Sequence, residues 1–348
     1  MKTTTLLKIV YSSSNCMRST TLVREILEVL SDESAKGDQR WRRLSREVFH
    51  SSCPLTGLRS WFEAVCVFDE TFGKSCRNLV DAPAGTVLVA GSGKDSFKTF
   101  NVSTAASLVA AAAGVKIVKG VSGPVPGESG SFKVLETLGV PVAERPQQVE
   151  RYLRLGGIVF AHSRTFCPRF FDRCAGRFAD VQATSLFMPL IALCVKGFAF
   201  LYGLSARHSE LAARIIADIR PDLQRGTVVG AELLSGCIID EYASRGTAWR
   251  SDWRNGALKY HETSKLEPEL SWMYAISQRR SPVENARVLY HFLTDPQSSQ
   301  VTNLVVDNAA LLIELAFGIS FSAARIRAEE VLTQGRAADL LRSFSKYK

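Results

Sequence analysis

Residues able to grip a phosphate gather in one stretch of the first third of the chain. Gly91-Ser92-Gly93-Lys94-Asp95 is followed closely by Thr99-Phe100-Asn101-Val102-Ser103-Thr104. Ahead of it, Val87 to Ala90 is a short apolar run suited to a buried strand. Behind it, Ala105 to Val115 is alanine-dense and suits a buried helix. The order is strand, glycine turn, polar clamp, helix. Backbone N–H groups and the positive end of the helix dipole converge at such a helix start, and the hydroxyls add donors. The same pattern also describes an ordinary strand-to-helix turn. A Walker-type phosphate loop is excluded, because Asp95 follows Lys94 and the four-residue spacer between glycines is missing.

The wider spacing narrows the choice. The glycine loop, the Asn-x-Ser-Thr segment at 101–104, the run Ala110 to Val115 and Lys119 resemble the signature of the anthranilate phosphoribosyltransferase family. That family belongs to the nucleoside phosphorylase/phosphoribosyltransferase class with a helical-bundle domain. The likeness continues in register through Ser129-Gly130-Ser131 and Leu135-Glu136-x-Leu138-Gly139-Val140. Later, Ile239-Asp240-Glu241-Tyr242 resembles the family's Asp-Glu pair that holds magnesium. Glu284-Asn285-Ala286 and Asp307-Asn308-Ala309-Ala310 resemble two late family helices. On residue type alone, Asp240-Glu241 is an acidic pair at a strand end, the usual mark of a solvated turn.

The resemblance implies a phosphoribosyltransferase. Gly91, Gly93, Lys94, Asp95, Thr99, Asn101, Ser103, Thr104, Lys119 and Ser131 are the implied grip on phosphoribosyl diphosphate, with Ser103, Asp240 and Glu241 as ligands of Mg2+. Magnesium commonly bridges substrate phosphates to one or two carboxylates. No side chain is expected as covalent nucleophile or general base, because the oxocarbenium-like transition state responds chiefly to electrostatics and positioning.

At the acceptor end the chain departs from the family. Lys119-Gly120-Val121-Ser122-Gly123 stands where the family has Lys-His-Gly-Asn-Arg, and Lys94 replaces the last glycine of the diphosphate loop. The family's anthranilate-pairing arginine falls on Ala175, between Arg173 and Arg177. Either arginine is a candidate replacement, since guanidinium pairs bidentately with carboxylate. Gly91 and Ser122 complete the acceptor candidates. Donor residues kept and acceptor residues replaced point to a transferase using an aromatic or heteroaromatic amine or acid. True anthranilate phosphoribosyltransferase of tryptophan biosynthesis is the alternative, and a non-enzymatic nucleic-acid-binding family member is another. A nucleoside phosphorylase fits less well, since Lys119 and Asp240-Glu241 suit diphosphate and metal better than free phosphate.

Bulk properties agree with a globular enzyme. The 348 residues are 46% hydrophobic, and 43 basic against 34 acidic residues give a net charge of +9. That balance suits anionic substrates and nucleic acid alike. Arg40, Arg42 and Arg43 form the densest basic run, read as a solvated helix face. Eight cysteines (16, 53, 66, 76, 167, 174, 194, 237) contain no C-x-x-C pair, so reduced thiols in a cytoplasmic protein are expected. Lys196 interrupts the apolar stretch Leu186 to Leu204, so no membrane helix is expected. The Ser/Thr-rich start around Lys2 and Lys8 reads as a frayed terminus in preference to a transit peptide.

These residues need a scaffold. Leu22, Ile26, Val29 and Leu30 mark an amphipathic helix over 19–31, and Leu58 to Phe68 gives another. Asp81-Ala82-Pro83-Ala84-Gly85 is a turn and a boundary. Beyond it, strands at Val87–Ala90, Lys116–Val118 and Ile158–Phe160 alternate with helices from Ser103 and Ser129. The expected class is α/β: a small helical domain (1–80, with a helical insertion about 169–200) plus a larger domain (81–348). The latter holds a mainly parallel central sheet wrapped by helices. By resemblance, the site lies in the cleft between the domains, and the helical domain mediates a homodimer.

Overall fold

The computed structural model describes residues 16–121, 130–296 and 301–344; the acceptor candidate Ser122 lies outside the described residues. Four helices come first: α1 (Cys16–Ser31), α2 (Ala35–His50), α3 (Pro54–Phe68) and α4 (Glu70–Arg77). Their starts follow local chemistry. Ser34 accepts from the Gly37 N–H, Pro54 occupies the first turn of α3, and Asp69 accepts from the Phe72 N–H. Val23, Ile26, Val29 and Leu30 bury one face of α1. In α2, Arg40 pairs with Glu28, Arg42 with Asp180, and Arg43 with Glu25 and Glu47, at 3.1 to 3.6 Å. The basic run is thus matched by acids.

The chain then alternates through β1 (Val87–Gly91), α5 (Val102–Ala112), β2 (Ile117–Val121), α6 (Ser131–Thr137), β3 (Val142–Ala143), α7 (Pro146–Gly156) and β4 (Ile158–His162). Helix α5 ends before the expected Val115 because Gly114 turns the backbone with φ of 96°. Short helices α8 (Pro168–Cys174) and α9 (Met188–Ile191) follow, and β5 (Ala199–Gly203) opens where the helical insertion was expected to finish. Next come α10 (Ser209–Ile219), β6 (Arg225–Glu232), β7 (Ile238–Ile239) and the hairpin β8 (Thr247–Arg254) and β9 (Ala257–Ser264). Helices α11 (Leu270–Ile276), α12 (Pro282–Thr294), α13 (Thr302–Phe317), α14 (Phe321–Thr333) and α15 (Arg336–Ser343) complete the described chain.

The strands form one sheet in the order β3-β4-β2-β1-β5-β6-β8-β9, with β7 beside β6. Pairings from β3 to β6 are parallel, and those of β6 with β7 and β8, and of β8 with β9, are antiparallel. This is the mainly parallel sheet wrapped by helices that the α/β reading requires. Strand β1 lies inside it, so both its faces are covered. Val87 and Val89 pack with α5, α12, α13 and α14 on one face. Leu88 and Ala90 pack on the other with the four opening helices and the segment 166–195. The opening helices therefore share a core with the sheet. No single described helix is long and apolar enough to cross a membrane.

Arg173, on α8, holds this second layer together and is only 2% exposed. Its guanidinium donates to the carbonyls of Val29, Leu30 and Asp32 at 2.9 to 3.3 Å, and its Nη1 lies 2.9 Å from Asp38. Carbonyls at the end of α1 thereby gain partners that no further helical turn supplies. Removing the guanidinium leaves these buried carbonyls without that donor and Asp38 with Arg177 alone. Arg173→Met is expected to cost about 3–5 kcal/mol of stability, measured by denaturant unfolding, with Arg177→Met costing far less.

Candidate active site

Beyond the carboxyl ends of β1 and β2 lies a cavity of about 330 Å³. One wall is the glycine loop with the start of α5: Gly91, Gly93, Asp95, Asn101 and Ser103 all line it. Lys119 from β2 and Ser131 at the start of α6 close its side, and Asp240 and Glu241 face it from beyond β7. The neighbouring acids and the helix start, far apart in the chain, thus share one hollow.

Backbone contacts bring the acids there. Ser96 Oγ accepts from the Ile238 N–H at 2.7 Å and donates to the Gly236 carbonyl, tying the glycine loop to β7. The Gly93 N–H donates to Asp240 Oδ2 at 3.1 Å. Only glycine permits this approach: a Cβ on Gly91 would stand 2.5 Å from Asp240 Oδ2, and one on Gly203 would stand 2.1 Å from the Asp240 carbonyl. From the other side, Asn308 on α13 fixes the next turn. Its Oδ1 accepts from the Tyr242 N–H at 3.1 Å, and its Nδ2 donates to the Tyr242 carbonyl at 2.8 Å. Thr99 Oγ1 donates to Glu241 Oε1 at 3.0 Å.

The electrostatics are those of an anion-rich enclosure. Burial pushes the Asp95 carboxyl up to about 8, with Asp240 adding repulsion and a hydrogen bond from Ser205 opposing. Burial raises Asp240 too, against the pull of the Gly93 N–H, Lys119 and Lys98. Glu241, 4% exposed, is raised well above the usual carboxylate range by burial and then by Asp240 and Asp95. Lys119, also 4% exposed, is brought down to about 8 by burial, with both acids resisting. Buried polar atoms remain unmatched: Glu241 Oε2 and Asn101 Oδ1 have no hydrogen-bond partner. A burial this costly in stability is tolerated where a ligand completes it.

Four expected positions differ. Thr104 does not line the cavity; it is buried within α5, and its Oγ1 makes no hydrogen bond. Lys94 lines the cavity, and its Nζ donates to the Phe178 carbonyl. Arg173 and Arg177 are not acceptor residues among the lining. Arg173 is committed to Asp38 and the α1 carbonyls, and Arg177 to Glu33 and Asp38. In their place, Cys167, Phe170, Phe171, Phe178, Met188 and Gln182 line the second end of the cavity. Ser205 and Lys98 were not anticipated, and Asn308 was marked only as part of a late-helix motif with no role at the site. Lys98 sits within the motif, but Ser205 and Asn308 join the site only through strand and helix packing.

Sheet order, the glycine-lined cleft and the acids beside it define a glycosyl transferase fold of the α/β kind. Residues 84–338 match the family described as "Glycosyl transferase family, a/b domain", and the chain belongs to that family, as a member of its anthranilate phosphoribosyltransferase branch. It is 28% identical over 300 residues to the anthranilate phosphoribosyltransferase of Brevibacillus brevis, covering 83% of each chain. It is 26% identical over 332 residues to that of Haloarcula marismortui, covering 92% of this chain and 98% of the other. Among solved structures, the Thermus thermophilus enzyme of that name superposes with a TM-score of 0.68 at 20% identity, covering 94% and 98%. The Saccharomyces cerevisiae enzyme in complex with PRPP and Mg gives 0.67 at 20%, covering 99% and 98%. At that identity the structures establish a common fold.

The pH response of the ligand-free protein follows from these shifts. Acids with raised proton affinity keep protons that the unfolded chain has released, so from about pH 4 to pH 8 their contribution to stability falls as pH rises. Lys119 acts in the opposite sense between about 8 and its ordinary 10.5, where the unfolded chain alone stays protonated. The destabilising effect of the carboxyl cluster therefore grows with pH through the range from about 4 to 8. Glu241→Gln should melt higher than the parent, with a gap that widens from pH 5 to pH 8 in metal-free thermal scans.

Proposed function

We propose that this chain transfers the 5-phosphoribosyl group from phosphoribosyl diphosphate to an aromatic or heteroaromatic amine or acid, releasing diphosphate, with Mg2+. One observation carries the reading: Asp240 and Glu241 open onto the same cavity as Asn101, Ser103 and Lys119. The names of the relatives and the PRPP and Mg complex of the yeast enzyme support it.

The residues present fit the metal. Ser103, Asp240 and Glu241 would hold it, Glu241 Oε2 is unmatched, and both carboxyls are raised by burial, Glu241 also by its neighbouring acids, which a cation relieves. Among the described residues no group of three or more His, Cys, Asp or Glu could hold a metal alone. That suits an ion whose remaining ligands are substrate phosphates and water. When bound, magnesium supplies positive charge to the departing diphosphate.

The chain's own groups do the positioning. Amides at the start of α5, with Asn101 and Ser103, receive phosphate oxygens. Lys119 faces the same space, and an arriving anion restores its charged state. The apolar end, with Phe170, Phe171, Phe178 and Met188, excludes water from the anomeric carbon. The acceptor nitrogen or oxygen bonds to that carbon as the bond to diphosphate breaks, and the acceptor's proton leaves to solvent or product. Little remains for a general base.

Calorimetric titration of phosphoribosyl diphosphate in the presence of magnesium should give tight binding. Asp240→Ala combined with Glu241→Ala should weaken it by at least about 100-fold, equivalent to about 2.7 kcal/mol. No heat of binding, or an unchanged affinity in the double variant, overturns the reading. Anthranilate itself is the first acceptor to try, because the curated relatives carry that name. Growth of a tryptophan auxotroph lacking that transferase on expression of this chain is the expected result if anthranilate is the acceptor.

A further inference from the structure

We infer that Cys76 and Cys194 are a redox-responsive pair: on oxidation they close into a disulfide that staples the opening helices to the central sheet. The inference stands apart from the phosphoribosyl-transfer reading above.

Three free thiols meet at a place that is not part of the cavity lining. Cys66 on α3 and Cys76 on α4 are partly exposed, and Cys194, between α9 and β5, is buried. Cys76 Sγ lies 3.7 Å from Cys194 Sγ, and the Cys66 thiol interacts with that of Cys76 in turn. A disulfide brings its sulfurs to about 2 Å, so side-chain movement of roughly 1.7 Å closes this gap. The backbones are already held together. The Val80 N–H donates to the Cys194 carbonyl at 2.9 Å, and the Lys196 N–H donates to the Val80 carbonyl at 2.8 Å. Val80 and Val195 form an isolated parallel bridge. The stretch from α4 to β1 and the stretch from α9 to β5 thus run side by side, and both carry the chain from the helical layer into the sheet. A covalent bond there joins the two passages.

The surroundings set how the pair reacts. Hydrogen bonding among the thiols, followed by burial, raises the proton affinity of Cys66 and Cys76, so the pair stays reduced until an oxidant is supplied. Arg220 opposes this. It is 5% exposed, donates to the carbonyls of Leu193 and Val195 on either side of Cys194, and its charge favours the ionised form of Cys76. With hydrogen peroxide as the two-electron oxidant, the Cys76 thiolate attacks one peroxide oxygen and the O–O bond breaks. Hydroxide leaves and takes up the proton that Cys76 released, giving water and a sulfenic acid. Cys194 Sγ then attacks the Cys76 sulfur, an S–S bond forms, and the hydroxyl departs with the Cys194 proton as a second water. The two thiols are oxidised and the peroxide is reduced.

The bond changes stability through the unfolded chain. Cys76 and Cys194 are 118 residues apart, so joining them closes a long loop. Cys66 and Cys76, ten residues apart on neighbouring helices, close a short one.

The full chain, with and without hydrogen peroxide under native conditions, tests this by peptide mapping and thermal melting. Expected are a linked Cys76–Cys194 peptide, with the mass of the pair reduced by two hydrogens, and a melting temperature raised by about 3 °C or more. Dithiothreitol should reverse both. Cys66→Ser should keep the link and the shift. Cys194→Ser should lose both, and its parallel treatment accounts for peroxide damage elsewhere; Cys194→Ala replaces it if that variant fails to fold. No linked Cys76–Cys194 peptide, an oxidised chain that melts no higher than the reduced one, or a shift that survives in the Cys194 variant overturns the assignment. Neither readout involves phosphoribosyl diphosphate, so the outcome is separate from that of the donor titration.

Discussion

The structure is organised around negative charge held where water is scarce. Asp95, Asp240 and Glu241 crowd one hollow, and each is harder to ionise there than in solvent. Such crowding is opposed by what surrounds it: the Gly93 amide, the Ser205 and Thr99 hydroxyls, and the ammonium groups of Lys98 and Lys119. The balance remains incomplete in the chain alone, since Glu241 Oε2 has no partner. Such an arrangement costs stability in the chain alone, and a bound cation would relieve it. Stability is given up locally, and binding recovers it.

That constraint explains the surrounding architecture. Asp240 can approach the end of β1 only because Gly91 and Gly203 lack side chains, so two adjacent central strands must both end in glycine. Glu241 needs its backbone held from behind, and Asn308 in the largely buried helix α13 does so. Helix α5 must be buried on nearly all sides for its start to point rigidly at the ligand. Its alanines allow that close packing without breaking the helix.

The two ends of the cavity differ in kind. At the donor end, charges and amides project from the sheet and from α5. At the other, rings from the segment 166–188 form an apolar enclosure. Lys94 spans the two, rooted in the glycine loop and bonded to the Phe178 carbonyl. Arg173 lies behind this enclosure and works as a tie between α8 and α1. Arg173 thus serves the packing of α8 on α1, while Lys94 lines the cavity from the glycine loop.

What could be read from the residues was local. The run Val87 to Ala90, the glycine turn and the alanine-dense stretch each follow from short-range preference, and all appear as strand, turn and helix. The spacing of Asn101, Ser103, Lys119 and the acid pair sufficed to group them, because family register encodes that grouping. Helix ends slipped by a few residues, since Gly114 and the Asn101 start decide them through backbone angle. The direction of long side chains was not legible. Arg173 and Arg177 face Asp38 and Glu33, Lys94 faces Phe178, and the Thr104 hydroxyl meets no hydrogen-bond partner. Those outcomes depend on which distant elements pack alongside. Residue type settled what chemistry each side chain can do; only tertiary packing decided which partner was near enough to use it, because contact energies act over a few ångströms and chain order does not determine such distances.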